Sequence, residues 1–114
     1  MKIQRFEDII AWQKSRDLTT KVYSVFRTNK DFGFRDQIQR ASVSIMNNIA
    51  EGYERKGNKE FKNFLFIAKG SCAEVRSMMY LAFDCHYVDE RTRDEMLLNT
   101  EEISRILSGL IKTL

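Results

Sequence analysis

Apolar residues along this chain recur at intervals of three and four rather than two, and no proline interrupts them. That period predicts helices throughout. A first helix is expected from about Phe6 to Arg27, with Ala11, Leu18, Val22, Val25 and Phe26 on one side and Glu7 and Asp8 in the first turn, where the helix dipole favours acids. The segment TNKDFG then breaks it. A second helix is expected from about Phe34 to Lys56, its stripe formed by Phe34, Ile38, Ala41, Ile45 and Ile49, with Gly57 supplying the left-handed residue that ends it. A third, capped by Asn58, should run from about Lys59 to Tyr87 and bury Phe61, Leu65, Ala68, Cys72, Val75, Met79 and Ala82. Asp89 caps a fourth, whose inner side carries Met96, Ile103, Ile106, Leu107, Leu110, Ile111 and Leu114. Loops this short join antiparallel neighbours. The predicted fold is therefore all-α, an up-down-up-down antiparallel four-helix bundle over residues 1–114 as one domain, with helices roughly 33 to 43 Å long at 1.5 Å per residue.

Polar residues intrude where the second helix should be buried, in the stretch SIMNNIAEG from Ser44 to Gly52. A helical wheel sorts them. Gln37, Arg40, Ser44, Asn48 and Glu51 fall on one strip flanking the core stripe, while Asn47 turns outward. Glu60, Ser71 and Glu74 flank the stripe of the third helix in the same way, with Gly70 nearby and free of a side chain that would hold two helices apart. Facing each other, the two flanks make a polar seam in which Arg40 can pair with Glu51 or Glu74 and Asn48 and Ser44 can hydrogen-bond across. A buried amide without partners costs about 1 to 3 kcal/mol, so such a seam survives only if its members satisfy one another or reach water. The structural reading is a network that fixes helix register. The functional reading is a wet groove or pore lining that meets a ligand.

The third helix is apolar on more than one side. Phe66, Ala73, Tyr80 and Tyr87 repeat every seven residues away from the core stripe, and Phe83 lies between them and it. Apolar surface left after one core is filled predicts a homo-oligomer interface. Lys62, Lys69 and Arg76, also seven apart, run among these aromatics. Interleaved cations and aromatics can grip phosphates and stack bases, but lysine stems also shield apolar surface at ordinary interfaces, which is the reading favoured here. The turn carrying Arg55, Lys56, Lys59 and Lys62 around Gly57 is the better nucleic-acid candidate, because a turn between two helices projects its charges freely.

Composition excludes several classes. The net charge of +3 is unevenly shared, with 11 basic against 7 acidic residues in 1–57 and 8 against 9 in 58–114, a balance that permits nucleic-acid binding without demanding it. No run approaches the roughly 20 apolar residues of a membrane span, and MKIQRFEDII is too short for a secretory h-region, so a cytoplasmic protein with reduced thiols is expected. Catalytic, cofactor and metal sites are not expected. His86 is the sole histidine and has Phe83 three residues before it, which excludes the Glu-x-x-His pairs of a di-iron bundle. Cys72 and Cys85, thirteen residues apart, lie roughly 20 Å apart along one helix and are assigned to the core. His86 is expected on the core side of the third helix, near its end, in a capping or dipole role. No glycine loop cradles phosphate, and nothing in the spacing of Glu51, Glu54, Glu60 and Glu74 singles out a hard cation.

The segments AWQKSRDL, DQIQRASVSIMNNIAEGYERKGNKEF and FLFIAKGSCAEV resemble a family of small bacterial four-helix bundle proteins first noticed as reading frames inside 23S rRNA intervening sequences, also called S23 ribosomal proteins. The resemblance spans nearly the whole chain. It is carried by Trp12 and Gln13, by Gln37, Arg40, Ala41, Ser44, Ile45 and Asn48 through Gly52, and by Phe61, Phe64, Leu65, Ala68, Gly70, Ser71 and Glu74. Cys72 departs from it, standing where a larger aliphatic residue is usual. The resemblance implies a basic, ring-like homopentamer, and a related group assists the reverse transcriptase of diversity-generating retroelements by binding nucleic acid and the enzyme. Because the family name records gene location, it says little of RNA association itself. The expected function is a non-enzymatic homo-oligomer, by resemblance a pentamer, that contacts RNA or a ribonucleoprotein through Arg55, Lys56, Lys59 and Lys62. The alternative is a protein-protein interaction scaffold with no nucleic-acid role.

Overall fold

The computed structural model describes residues 3–114. A 3-10 turn, Phe6–Asp8, precedes α1 (Ile10–Phe26), α2 (Phe32–Glu54), α3 (Asn58–Asp84) and α4 (Glu90–Lys112). Each helix packs on its neighbours in sequence and α4 closes against α1, giving an up-down-up-down bundle of 43 × 22 × 19 Å. Among the described residues there is no strand.

The stripes predicted for α2 and α3 are buried throughout, and Met78 joins the latter. In α1 the predicted stripe is buried at Ala11, Leu18, Val22 and Phe26, and in α4 at Met96, Ile103 and Leu107, while Val25, Ile106, Leu110, Ile111 and Leu114 pack at the rim. Four buried hydroxyls were not anticipated: Ser15, Thr19, Ser42 and Thr100. Ser15 donates to the Ala11 carbonyl at 2.6 Å, Thr19 to Ser15 at 2.8 Å and across to the Ser42 carbonyl at 3.1 Å, and Thr100 to Leu97 at 2.8 Å. A short hydroxyl that bonds back onto its own helix can enter the core without a dedicated partner.

Helix ends depart from prediction where the backbone decides. Ile9 is extended and separates the 3-10 turn from α1, so Glu7 and Asp8 lie in that turn, near Arg5, rather than in the helix. α2 begins two residues early because Asp31 caps it, Oδ1 accepting from the Phe34 amide at 3.1 Å. Gly57, at φ +117°, turns the chain and is itself the residue before α3, which places Asn58 inside the helix rather than at its cap. Asp89 caps α4 as predicted, accepting from the Thr92 amide at 2.8 Å.

α3 stops at Asp84, three residues short of the predicted end. The Tyr87 amide donates to the Ala82 carbonyl at 2.8 Å and the His86 amide to that of Phe83 at 3.0 Å, with His86 at φ +63° between them. This is a Schellman ending, in which the left-handed residue is ordinarily glycine. His86 is thus exposed and has a backbone role, not the core-side position expected of it. Cys85 beside it is exposed too, so only Cys72 is a core thiol. Burial pushes the Cys72 thiol up to about 11, and its sulfur lies 3.1 Å from the Thr100 carbonyl, to which it donates.

Tyr87, released from the helix, crosses to the other loop at the same end of the bundle. Its phenol donates to Asp31 Oδ2 at 2.5 Å and its ring meets Phe34 edge-on at 5.2 Å. That hydrogen bond raises the phenol to about 12 and holds the Asp31 carboxyl below the usual carboxylate range, an effect the Phe34 amide reinforces.

Candidate functional site

The α2–α3 face carries both the polar seam and the basic turn. Close approach of the two helices is set by Gly52, where an added Cβ would stand 2.5 Å from Phe64 Cβ. Gly70, to which that role was assigned from sequence, has nothing within 4 Å of its missing Cβ and faces outward.

Along this approach Ser44 and Ser71 share a hydrogen bond of 2.8 Å, and Asn48 Nδ2 donates to the Ser44 carbonyl at 2.8 Å and to Ser44 Oγ at 2.9 Å. These three residues are half-buried and make a satisfied knot between the helices. Gln37 Nε2 donates to Glu74 Oε2 at 3.2 Å, at an exposed point two turns away. The remaining residues of the predicted strip do not join. Glu51 is exposed and pairs with Arg55 one turn on at 3.3 Å, so the pairing expected of Arg40 with Glu51 or Glu74 does not form. Glu60 is exposed as well, and Asn47 points outward as the wheel predicts. The seam is therefore neither sealed nor a pore within one chain. It opens into a cleft of about 620 Å³ lined by Phe32, Asp36, Gln37, Arg40, Ser44, Ser71 and Glu74, in which the exposed Arg40 guanidinium has no ion-pair partner among the described residues.

The basic turn is divided in its availability. Arg55 is held by Glu51 and lies over the Phe64 ring, 5.2 Å from its centroid. Lys56 and Lys59 are exposed and Lys62 is half-buried. Among the described residues none of these three lysines reaches a carboxylate. Residues 54–60 are all exposed, and among the described residues nothing stands within 4 Å of where a Cβ on Gly57 would lie, so the turn is open to solvent.

The second apolar face of α3 separates into two groups. Phe83 is covered by the Arg93 guanidinium at 4.2 Å, Tyr87 is engaged with Asp31 and Phe34, and Arg76 pairs with Glu101 of α4 at 3.3 Å. Phe66, Ala73 and Tyr80 stay exposed, and Lys69 stays half-buried with no ion pair among the described residues. Ile67 and Leu81, absent from the sequence-based list, widen this face. They also stand seven apart from Glu74, which masked them as part of a polar flank.

Among the described residues no group of three or more His, Cys, Asp or Glu is close enough to hold a metal ion, and no helix is long and apolar enough to cross a membrane. What the seam, the turn and the α3 face offer chemically is hydrogen-bonding, charge and apolar area.

The comparison with solved structures agrees with this geometry. A protein of unknown function from the S23 ribosomal protein family of Bacteroides thetaiotaomicron superposes with a TM-score of 0.85 at 25% identity, covering 90% of this chain and 96% of its own. No functionally curated protein matches. The family model described as 23S rRNA-intervening sequence protein matches residues 7–109, which include every residue of the seam, the basic turn and the exposed α3 face, and the chain belongs to that family.

Proposed function

We propose that this protein is a non-catalytic, self-associating bundle that grips RNA phosphates through the α2–α3 turn. The observation that carries the binding step is the trio Lys56, on the α2–α3 turn, and Lys59 and Lys62, in the first turns of α3, none of which meets a carboxylate among the described residues. Three ammonium groups within two helical turns suit a run of phosphates, and each contact releases condensed counterions. Self-association is supported by the exposed apolar face of α3, and five subunits is the number the resemblance to the S23 proteins implies. A ring would repeat the lysine trio at each subunit, so that weak single contacts add through avidity.

The test is binding of a structured RNA across a salt series, on protein whose mass has been fixed by light scattering. The expected log-log slope is roughly 0.7 to 0.9 per phosphate contacted, and changing the three lysines together to Ala should lower both affinity and slope. Unchanged affinity and slope in that variant would refute the site. Failure of the intact protein to bind RNA at low salt, with the oligomer present, favours instead a scaffold that docks another protein through the same assembly.

A further inference from the structure

The outer face of α3 has a spacing that one bundle does not use. Phe66, Gly70, Ala73, Ser77 and Tyr80 alternate in steps of four and three, which is the seam of a helix that packs along a second helix. All five are exposed, Phe66 to 52% and Tyr80 to 49%. Large rings stand at the two ends and small residues in the middle. That order suits two crossing helices, whose backbones approach at Gly70 and Ala73 and diverge toward Phe66 and Tyr80. Gly70 supports this independently, because among the described residues nothing beyond its own helix turn comes within 4 Å of the missing Cβ. A glycine in the middle of a helix is destabilising, so the position calls for a neighbour that the isolated chain lacks.

The residues flanking the seam identify that neighbour. One edge is basic, with Lys62, Lys69 and Arg76, and the other carries Glu60, Ile67, Glu74 and Leu81. Lys69 has no intrachain carboxylate among the described residues, and Glu74 uses one oxygen on Gln37 and leaves the other free. Lys69 and Glu74 are five residues apart, the offset at which opposite edges of two parallel helices meet. Parallel copies would set Lys69 of each against Glu74 of the next, and Ile67 and Leu81 beside the stems of Lys62 and Arg76. Antiparallel copies would instead press the basic edge against itself.

We infer that α3 packs in parallel against α3 of a second copy of this chain, with the Gly70–Ala73 segment at the crossing and Lys69 paired to Glu74 across the interface. This rests on the self-association proposed above and adds its surface, its orientation and its charge code. The test is sedimentation of the intact protein and of Lys69→Glu, Glu74→Lys and the double reversal, with circular dichroism to confirm that each is folded. Each single reversal should weaken association roughly tenfold or more, and the double reversal should restore it, since the unlike pair is then rebuilt with its ends exchanged. Replacing Gly70 by Leu should abolish association without unfolding the chain, given the open space around it. Reversals that leave association unchanged, or a Lys69→Glu variant that associates more tightly, overturn the parallel α3 pairing while self-association stands. A wild-type chain that is monomeric at micromolar concentration overturns both.

Discussion

Replacing Gly52 by Ala tests the account of how α2 and α3 come together. On an isolated helix the change would stabilise by about 1 kcal/mol, because alanine is the best helix former and glycine among the poorest. Here the new methyl would lie 2.5 Å from Phe64 Cβ and 3.2 Å from both Phe64 Cγ and Phe61 Cδ1. Carbon atoms rest at about 3.5 to 4.0 Å, so α3 would have to withdraw by roughly 1 Å at this point. Phe64 Cβ is one bond from the backbone and cannot swing aside. Inserting a methylene into a tight core costs about 1 to 3 kcal/mol, and a clash against the root of a side chain belongs in the upper half of that range. Subtracting the helix-forming gain leaves a net loss of about 1 to 2 kcal/mol, or a fall in Tm of roughly 4 to 8 °C for a chain of this size. Thermal and urea unfolding followed by circular dichroism at a fixed protein concentration measures it, with Gly109→Ala as the control. Gly109 is exposed on α4 with nothing within 4 Å, so that control should gain about 1 kcal/mol. A Gly52→Ala protein as stable as Gly109→Ala would refute the reasoning.

Three further predictions use the bundle ends and the thiols. His86→Gly should stabilise the fold by about 0.5 to 1 kcal/mol, read as a higher urea midpoint at unchanged m-value, because the side chain sits at φ +63° in a position that favours glycine. The Asp31–Tyr87 tie should act at both ends of the pH scale. Asp31 is lowered by the bond, so its contribution is present above the unfolded carboxylate pKa and lost as pH falls through the folded value; Tyr87 is raised to about 12, so its contribution is complete below 10 and lost as pH rises through 12. Ultraviolet titration should therefore show a phenol ionisation step near pH 12, and Tyr87→Phe should remove it. A thiol reagent at neutral pH should modify one cysteine per folded chain, the exposed Cys85, and reach Cys72 only in denaturant, since that thiol is buried and pushed up to about 11.

The stripes of the four helices were legible because burial on a helix repeats with the backbone's own period, so Phe61, Leu65, Ala68, Cys72, Val75, Met79 and Ala82 could be placed without knowing their partners. Features that depend on where two helices cross were not. A wheel gives Gly52 and Gly70 each an angle, but only the crossing point decides that the first meets Phe64 and the second meets no neighbouring helix among the described residues. Helix ends escaped for a related reason. The left-handed turn at His86 follows from the Schellman hydrogen bonds, and a non-glycine residue there gives no warning in sequence.

Charge pairing was the least legible layer, and it bears most directly on function. A long cation chooses among the acids within reach, and a partner one turn away can win over one across a seam: Glu51 goes to Arg55, and Arg40 in the cleft has no ion-pair partner among the described residues. The same sorting separates the cations of the α2–α3 region by use. Arg55 and Arg76 are engaged within the chain, while Lys56, Lys59, Lys62 and Lys69 have no carboxylate among the described residues. Lysine is a flexible, strongly hydrated charge that costs little to leave in water, so being unpaired does not by itself imply a ligand. Position turns it into an argument. Lys56, Lys59 and Lys62 cluster at the α2–α3 turn and the start of α3, where phosphate can reach them, and Lys69 edges an apolar seam whose other edge carries Glu74 at the matching offset. The proposed RNA contact and the proposed α3 pairing therefore share only Lys62, whose stem edges the seam, and Lys56 and Lys59 on one side and Lys69 on the other separate them. Loss of Lys56 and Lys59 should spare assembly, and reversal of Lys69 should spare the intrinsic contact of each turn with RNA while removing the gain from repetition.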